Sequence, residues 1–226
     1  MSRERSGVVA ASNGCYDAGR AAALSGVPKS TVYYWARVGI VVPSVSPLQE
    51  KLWSYADLMA LRLVAWLRHR KSATDNRGAL PASPMPQVRA AIEHLENAGV
   101  PPWRPGGASL LAAPDGRVFI RLEGETCDAF GQKAVLPDEH LALTEEYGDG
   151  PNLVAPRRHL RIVPAKVAGE PHLEGTRLTT QSVAALIVDG YEPEVVAAMY
   201  EVPLYGVMES VDLERQLSAP TVVVAA

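Results

Sequence analysis

Cysteine is nearly absent: Cys15 and Cys127 are the only two in 226 residues. Far apart in the chain, they indicate neither a disulfide framework nor a clustered thiolate metal site, and both thiols are expected to be free. The histidines are few and scattered. His69, His94, His140, His159 and His172 show no ligand spacing, so neither a metal nor a cofactor is expected. Long apolar runs are missing too. None approaches the roughly 20 residues that a bilayer-crossing helix needs, and Met1-Ser2-Arg3-Glu4-Arg5 is not followed by the apolar core of a signal peptide. The expectation is a cytoplasmic protein with no membrane partner. Catalytic equipment is also wanting. Glu145-Glu146 and Glu192 with Glu194 are paired carboxylates, but neither pair has a nucleophile near it in sequence, and they read as surface charge. The segment from Gly169 to Thr176 lacks the lysine and the helix start of a phosphate-cradling loop, so its glycines read as turn formers. What remains, 47% hydrophobic and 21% charged residues, is the composition of a folded chain of one or two domains that is not expected to be an enzyme.

Charge is present but unevenly placed. Residues 1–71 hold 10 Lys+Arg against 4 Asp+Glu, a net of +6, whereas residues 72–226 hold 12 against 21, a net of −9. A phosphate backbone attracts the first part through counterion release and repels the second. The halves therefore suit different partners, duplex DNA in front and a polypeptide behind.

Local patterns place the basic part on helices. A first helix is expected from Asp17 to about Ser25, with Gly26 permitting a tight bend and Pro28 opening a second helix. In that second helix Val32 and Trp35 share one face and should be core, which leaves Lys29, Ser30, Tyr33, Tyr34 and Arg37 for groove and phosphate contacts. Only one of the adjacent tyrosines is expected to lie squarely on the outer face. A loop from Ser44 to Lys51 could project as a wing, Trp53 should return to the core, and Ser54-x-x-Asp57 reads as a capping box for a third helix reaching about Lys71. Arg68, His69, Arg70 and Lys71 gather at its end, where they favour the helix dipole and could reach phosphate.

Breakers between Ser72 and Pro86 mark a linker and hinge. A helix over Gln87 to Ala98 is expected next, then a loop rich in Pro and Gly, and strands near Val118–Leu122, Thr126–Phe130, Ala134–Leu136 and Leu160–Val163. Three short helices follow, over Gln181–Asp189, Pro193–Tyr200 and Leu204–Leu217. The stretch from Gln181 to Leu217 that holds them carries seven acids and one base, Arg215, which argues against a second DNA contact. The tail from Pro220 through Val222, Val223 and Val224 to Ala226 is apolar and β-branched, and could add as a strand to a partner's sheet edge.

Two stretches carry family resemblances. Tyr16-Asp17-Ala18-Gly19 through Gly26-Val27, then Thr31-Val32-Tyr33-Tyr34-Trp35 and Arg37-Val38-Gly39-Ile40, resemble the winged helix-turn-helix of MerR-type regulators over about a quarter of the chain. Lys51-Leu52-Trp53-Ser54 sits where that family's wing returns. The likeness implies DNA contacts by Ser30, Tyr33, Tyr34, Arg37 and Lys51. Further along, Arg161-Ile162-Val163-Pro164, Gly169-Glu170-Pro171, Glu174-Gly175-Thr176-Arg177-Leu178 and Asp189-Gly190-Tyr191-Glu192-Pro193-Glu194 with Tyr200 are similar to a small domain of unknown function in antitoxins that accompany PIN-like nuclease toxins. Together the two resemble a VapB-type antitoxin, which implies operator binding, autorepression and neutralisation of a ribonuclease. Two departures stand beside this. The proline-rich linker interrupts the long dimerisation helix of MerR regulators, and the metal-sensing cysteines of many of them have no counterpart.

The fold expected is α+β and mainly helical, with an N-terminal winged helix-turn-helix over 1–71, a linker over 72–86, a helix with a small β-strand region over 87–156, a C-terminal three-helix bundle over 157–217 and an apolar tail over 218–226. The function expected is a dimeric antitoxin that holds a PIN-like ribonuclease toxin and binds operator DNA. Arg177 or Arg215 should approach the toxin's carboxylates, and Val222, Val223 and Val224 should dock on it. The competing expectations are a ligand-responsive MerR-like regulator without a toxin and a structural adaptor whose basic half binds an acidic protein.

Overall fold

The computed structural model describes residues 14–48, 50–70, 80–98, 109–122, 124–136, 141–142 and 150–219. It is α+β and mostly helical, with a small antiparallel sheet. Two compact units divide the chain, one within Met1–Leu58 and Asp149–Val223, the other within Met59–Gly148 and Val224–Ala226.

The first unit begins with α1 (Ala18–Ser25) and α2 (Lys29–Arg37). Asp17 caps α1 by accepting a hydrogen bond from the Arg20 amide at 2.9 Å. Gly26 ends it in the left-handed region at φ 73, a conformation that a Cβ would disfavour and that lets α2 start two residues later. The expected core positions are filled: Val32 and Trp35 are buried, as are Ala21, Leu24 and Val27. The chain then makes a narrow excursion. Ser46 and Leu52 exchange backbone hydrogen bonds at 3.1 and 2.9 Å, and Trp53 pairs with Tyr16 in an isolated antiparallel bridge. Ser54 caps α3 (Tyr55–Arg68) as anticipated. Its amide donates to Asp57 Oδ2 at 2.8 Å while its hydroxyl receives the Asp57 amide at 3.2 Å. The same carboxylate oxygen also accepts from the amide and hydroxyl of Ser44 at 2.9 and 2.8 Å. One aspartate thus holds both the start of the helix and the base of the excursion. Asp57→Ala is expected to lower stability by about 2 kcal/mol, and a matching drop in the urea midpoint checks it.

The rest of this unit comes from the far end of the sequence. Strand β5 (Leu160–Arg161) pairs with β6 (His172–Leu173), and three helices follow: α5 (Thr180–Val188), α6 (Pro193–Met199) and α7 (Leu204–Ser218). Leu160, Leu173, Val183, Val196, Val202, Val207 and Leu213 form their shared core. The expected strand over Leu160–Val163 is shorter than its apolar run suggested. Ile162 leaves the ladder and donates its amide to Val154 O at 3.0 Å.

In the second unit, α4 (Met85–Asn97) packs against β2 (Val118–Leu122). The sheet order is β3-β2-β1-β4, with β1 Ser109–Ala112, β3 Glu125–Asp128 and β4 Leu141–Ala142. Two corrections arise here. First, the stretch expected to be only a Pro/Gly-rich loop contains β1, a central strand. Leu110, Leu111, Ala112 and Ala113 are all buried, and a strand covered on both faces shows no alternation for periodicity to detect. Second, Ala134–Leu136 is not a strand. It turns back after β3 with one bridge, Cys127 to Lys133, and one further backbone bond, Ala134 N to Thr126 O at 3.0 Å. Ala134 and Leu136 pack on Leu111, Ala113 and Phe119 while Val135 points to solvent, instead of the segment extending a ladder. Helix α4 also starts earlier than the proline pattern suggested, because Pro86 is tolerated in a first turn, where its missing N–H is not needed. No helix among the described residues is long and apolar enough to cross a membrane.

Candidate nucleic-acid interface

On α2, Ser30, Tyr33, Tyr34 and Arg37 follow the i, i+3, i+4, i+7 spacing of one helical face, opposite the buried Val32 and Trp35. Lys51 joins them from the excursion that follows. The five line one open groove of about 350 Å³. Two ring contacts organise it. The Tyr33 ring meets Trp53 edge to face, centroids 6.0 Å apart at 79°, and since Trp53 is fully buried, Tyr33 stands on a rigid base. The Arg37 guanidinium lies over the Tyr34 ring at 5.7 Å from its centroid, a cation–π geometry that restrains a long side chain before any ligand arrives. The Lys51 ammonium donates to Leu48 O at 3.4 Å.

Both tyrosines line the groove, at 45% and 49% exposure. The expectation that only one would lie outward needs correcting. Adjacent helical residues point about 100° apart, and here the pair straddles the outward direction, so each is half exposed. Lys29 is exposed but does not line the groove. Its ammonium reaches back toward α1, 3.9 Å from where a Cβ on Gly19 would stand.

Beneath the groove helix, α1 is anchored by a buried ion cluster. The Arg20 guanidinium donates to both oxygens of Glu214 on α7, at 2.8 and 2.9 Å, and to Glu170 at 2.8 Å. The Thr180 hydroxyl completes Glu214. Alongside, the Tyr16 hydroxyl donates to Gly169 O at 2.7 Å and the Cys15 amide to Ala168 O at 2.8 Å. Burial alone would lower the Arg20 pKa, but the hydrogen bonds and fields of Glu214 and Glu170 outweigh it and hold the guanidinium charged. Burial pushes Glu170 above the usual carboxylate range, an effect that Arg20 opposes and that Glu214 and Asp17 reinforce. Tyr16 is likewise pushed up by burial and by Glu170, so its hydroxyl stays a donor. None of this cluster was singled out as a site in the sequence. The available signal was one arginine set among the small residues of Ala18-Gly19-Arg20-Ala21-Ala22-Ala23, where a solvated charge has little reason to be.

The other anticipated residues fall elsewhere. Arg177 lies in the turn between β6 and α5 and Arg215 in the last turn of α7. Both are exposed, and neither forms an ion pair among the described residues. Lys71, Val222, Val223 and Val224 lie outside the described residues. Among those described, no group of three or more His, Cys, Asp or Glu is disposed to hold a metal ion.

No protein family matches the chain, and no curated protein matches it. Among solved structures, the chain is similar to the X-ray crystal structure of Rv2018 from Mycobacterium tuberculosis, at 15% identity, over 87% of this chain and 96% of that one, with a TM-score of 0.49.

Proposed function

We propose that this chain is a DNA-binding antitoxin. In this reading α1, α2 and the Ser46–Leu52 excursion are a winged helix-turn-helix that binds operator DNA, and residues 157–217 hold a PIN-like ribonuclease toxin, the whole acting as a homodimer without catalysis of its own. The observation that carries the DNA half is the groove in which Ser30, Tyr33, Tyr34, Arg37 and Lys51 converge. It offers two cations, a hydroxyl and two aromatic faces on one solvent-facing helix surface, with the donors needed for phosphate and base edges. The toxin half rests on the resemblance of Arg161–Pro164 and Gly169–Leu178 to antitoxin sequences. It assigns Arg177 and Arg215, exposed and without ion pairs among the described residues, to the toxin's carboxylates, with Val222, Val223 and Val224 as a docking tail.

Binding of the full chain to its own upstream promoter fragment, titrated against salt, tests the DNA half. Lys51→Ala is expected to reduce the salt slope by about 1 if Lys51 meets phosphate. Arg37→Ala should remove about 1–3 kcal/mol of preference for the operator over unrelated duplex if the stacked guanidinium reads a base edge. A promoter titration unchanged by both substitutions would remove the groove from the interface. Co-expression with the neighbouring reading frame tests the toxin half: a co-purifying, inhibited nuclease supports it, and a nuclease left fully active overturns it.

A further inference from the structure

Helix α6 is turned inside out relative to an ordinary surface helix. Only Val196 is fully buried, whereas Val195 and Met199, four residues apart and therefore on one face, are 48% and 52% exposed. Tyr191 and Tyr200 flank the helix at 45% and 43% exposure. Helix α7, which packs against α6, adds Tyr205 and Met208 at 71% and 54% in its first two turns. Scattered single apolar residues on a surface mean nothing, but aromatics and methionines gathered at one helix and its neighbouring turn are the composition of interface centres.

The charge around this face selects the partner. From residue 189 to residue 212 the sequence has no Lys, Arg or His, and its acids are Asp189, Glu192, Glu194, Glu201, Glu209 and Asp212. Glu209 is paired with His159 and Asp212 with Arg157. The four acids nearest α6 in sequence, Asp189, Glu192, Glu194 and Glu201, are exposed and have no ion pair among the described residues. A second copy of this chain across a two-fold axis would bring these carboxylates against themselves. Nucleic acid and anionic lipid would be repelled in the same way.

We infer that the outward face of α6 docks a basic amphipathic polypeptide segment, whose apolar side chains cover Val195 and Met199 and whose lysines or arginines meet the four unpaired carboxylates. Under the proposed function, on which only the partner's identity rests, this is the surface that covers the basic RNA path of a ribonuclease, a role separate from that of Arg177 and Arg215.

The test uses the full chain and a synthetic helical peptide with leucine on one face and lysine on the other, followed by backbone amide shifts. Controls are the same peptide with glutamate for lysine and with serine for leucine. The leucine–lysine peptide should shift amides from Tyr191 to Met208 and bind at least tenfold more tightly than either control. Val195→Lys with Met199→Lys should weaken it at least tenfold while leaving the thermal midpoint in place, because both side chains are already half in water. Equal binding of the serine–lysine peptide, or indifference to the double substitution, overturns the inference. So does a wild-type dimer that the double substitution makes monomeric, since a second copy would then be the occupant. A neighbouring nuclease inhibited equally by wild type and the double variant overturns this face as its contact and spares the antitoxin proposal. A nuclease inhibited by neither sinks that proposal and leaves this face to be decided by the peptide.

Discussion

Gly169→Ala is expected to lower stability by roughly 3–5 kcal/mol, the range of severe steric and buried-polar lesions. Gly169 has φ +82, and a Cβ there would fall on the Tyr16 hydroxyl, with the Gly14 Cα only 3.0 Å away. The two preceding residues, Val167 and Ala168, are also left-handed, at φ 43 and 54. Non-glycine residues hold that region only when their surroundings impose it, and here Tyr16 and Cys15 impose it through their bonds to Gly169 and Ala168. An added methyl would displace the tyrosine and release the turn together. Gly175 is the control. Its φ is +78, but nothing lies within 4 Å of the position a Cβ would occupy, so Gly175→Ala should lose only about 1–2 kcal/mol, the backbone part alone. Urea denaturation of the three proteins measures the difference, and equal losses would mean that the Tyr16 contact contributes nothing.

Arg20→Ala is expected to be about as damaging, at roughly 3–5 kcal/mol, because it leaves two carboxylates in a buried site without their cation. The side chains of Arg20, Glu170 and Glu214 are only 8%, 19% and 13% exposed, so water screens them poorly. The partners are not equivalent. Glu214 receives a two-pronged guanidinium and the Thr180 hydroxyl, whereas Glu170 has its pKa raised, first by burial. Glu214→Gln should therefore destabilise more than Glu170→Gln at neutral pH. The direction of the pH dependence follows from linkage. A carboxyl whose folded pKa exceeds its unfolded value binds a proton in the folded state first, so its contribution is full below the ordinary carboxylate pKa and is lost as pH rises through the raised one. Replacing Glu170 with glutamine should flatten that decline as pH rises above the ordinary carboxylate range of about 4, read as urea midpoints against wild type. A wild-type and variant difference that does not change with pH would show that Glu170 titrates normally. Since α1 and α2 form one packed pair, Arg20→Ala should also weaken any ligand held by the α2 groove without touching it.

Much of the groove was legible in the sequence because helical spacing is a local property. Val32 and Trp35 could be assigned inward and Ser30, Arg37 and one of the two tyrosines outward from a period of 3.6 alone, although the same reading also counted Lys29 and left the second tyrosine to the structure; Ser54-x-x-Asp57 announced the start of α3 in the same way. Lys51 could be grouped with them only by resemblance, since its place depends on how the excursion from Ser46 to Leu52 returns. Strand β1 was illegible for a different reason. It lies between β2, the next strand in the chain, and the remote β4, and its Leu-Leu-Ala-Ala run carries no period of two. The role of Glu214 was hidden similarly. Counting it among the seven acids between Gln181 and Leu217 made it look like solvated charge, although its oxygens face an arginine 194 residues away.

The chain by itself determined that these helices exist, which faces of α1 and α2 are apolar, and that its charge is divided between its ends, because caps and periodicity depend on residues within a turn or two of one another and net charge depends on composition alone. Only the tertiary structure decided that some of those opposite charges are spent on each other. Arg20 meets Glu170 and Glu214, so part of the basic front and part of the acidic back form one buried cluster. Burial also decided which acids remained free for a partner, since a carboxylate is neutralised or left exposed by what folds against it.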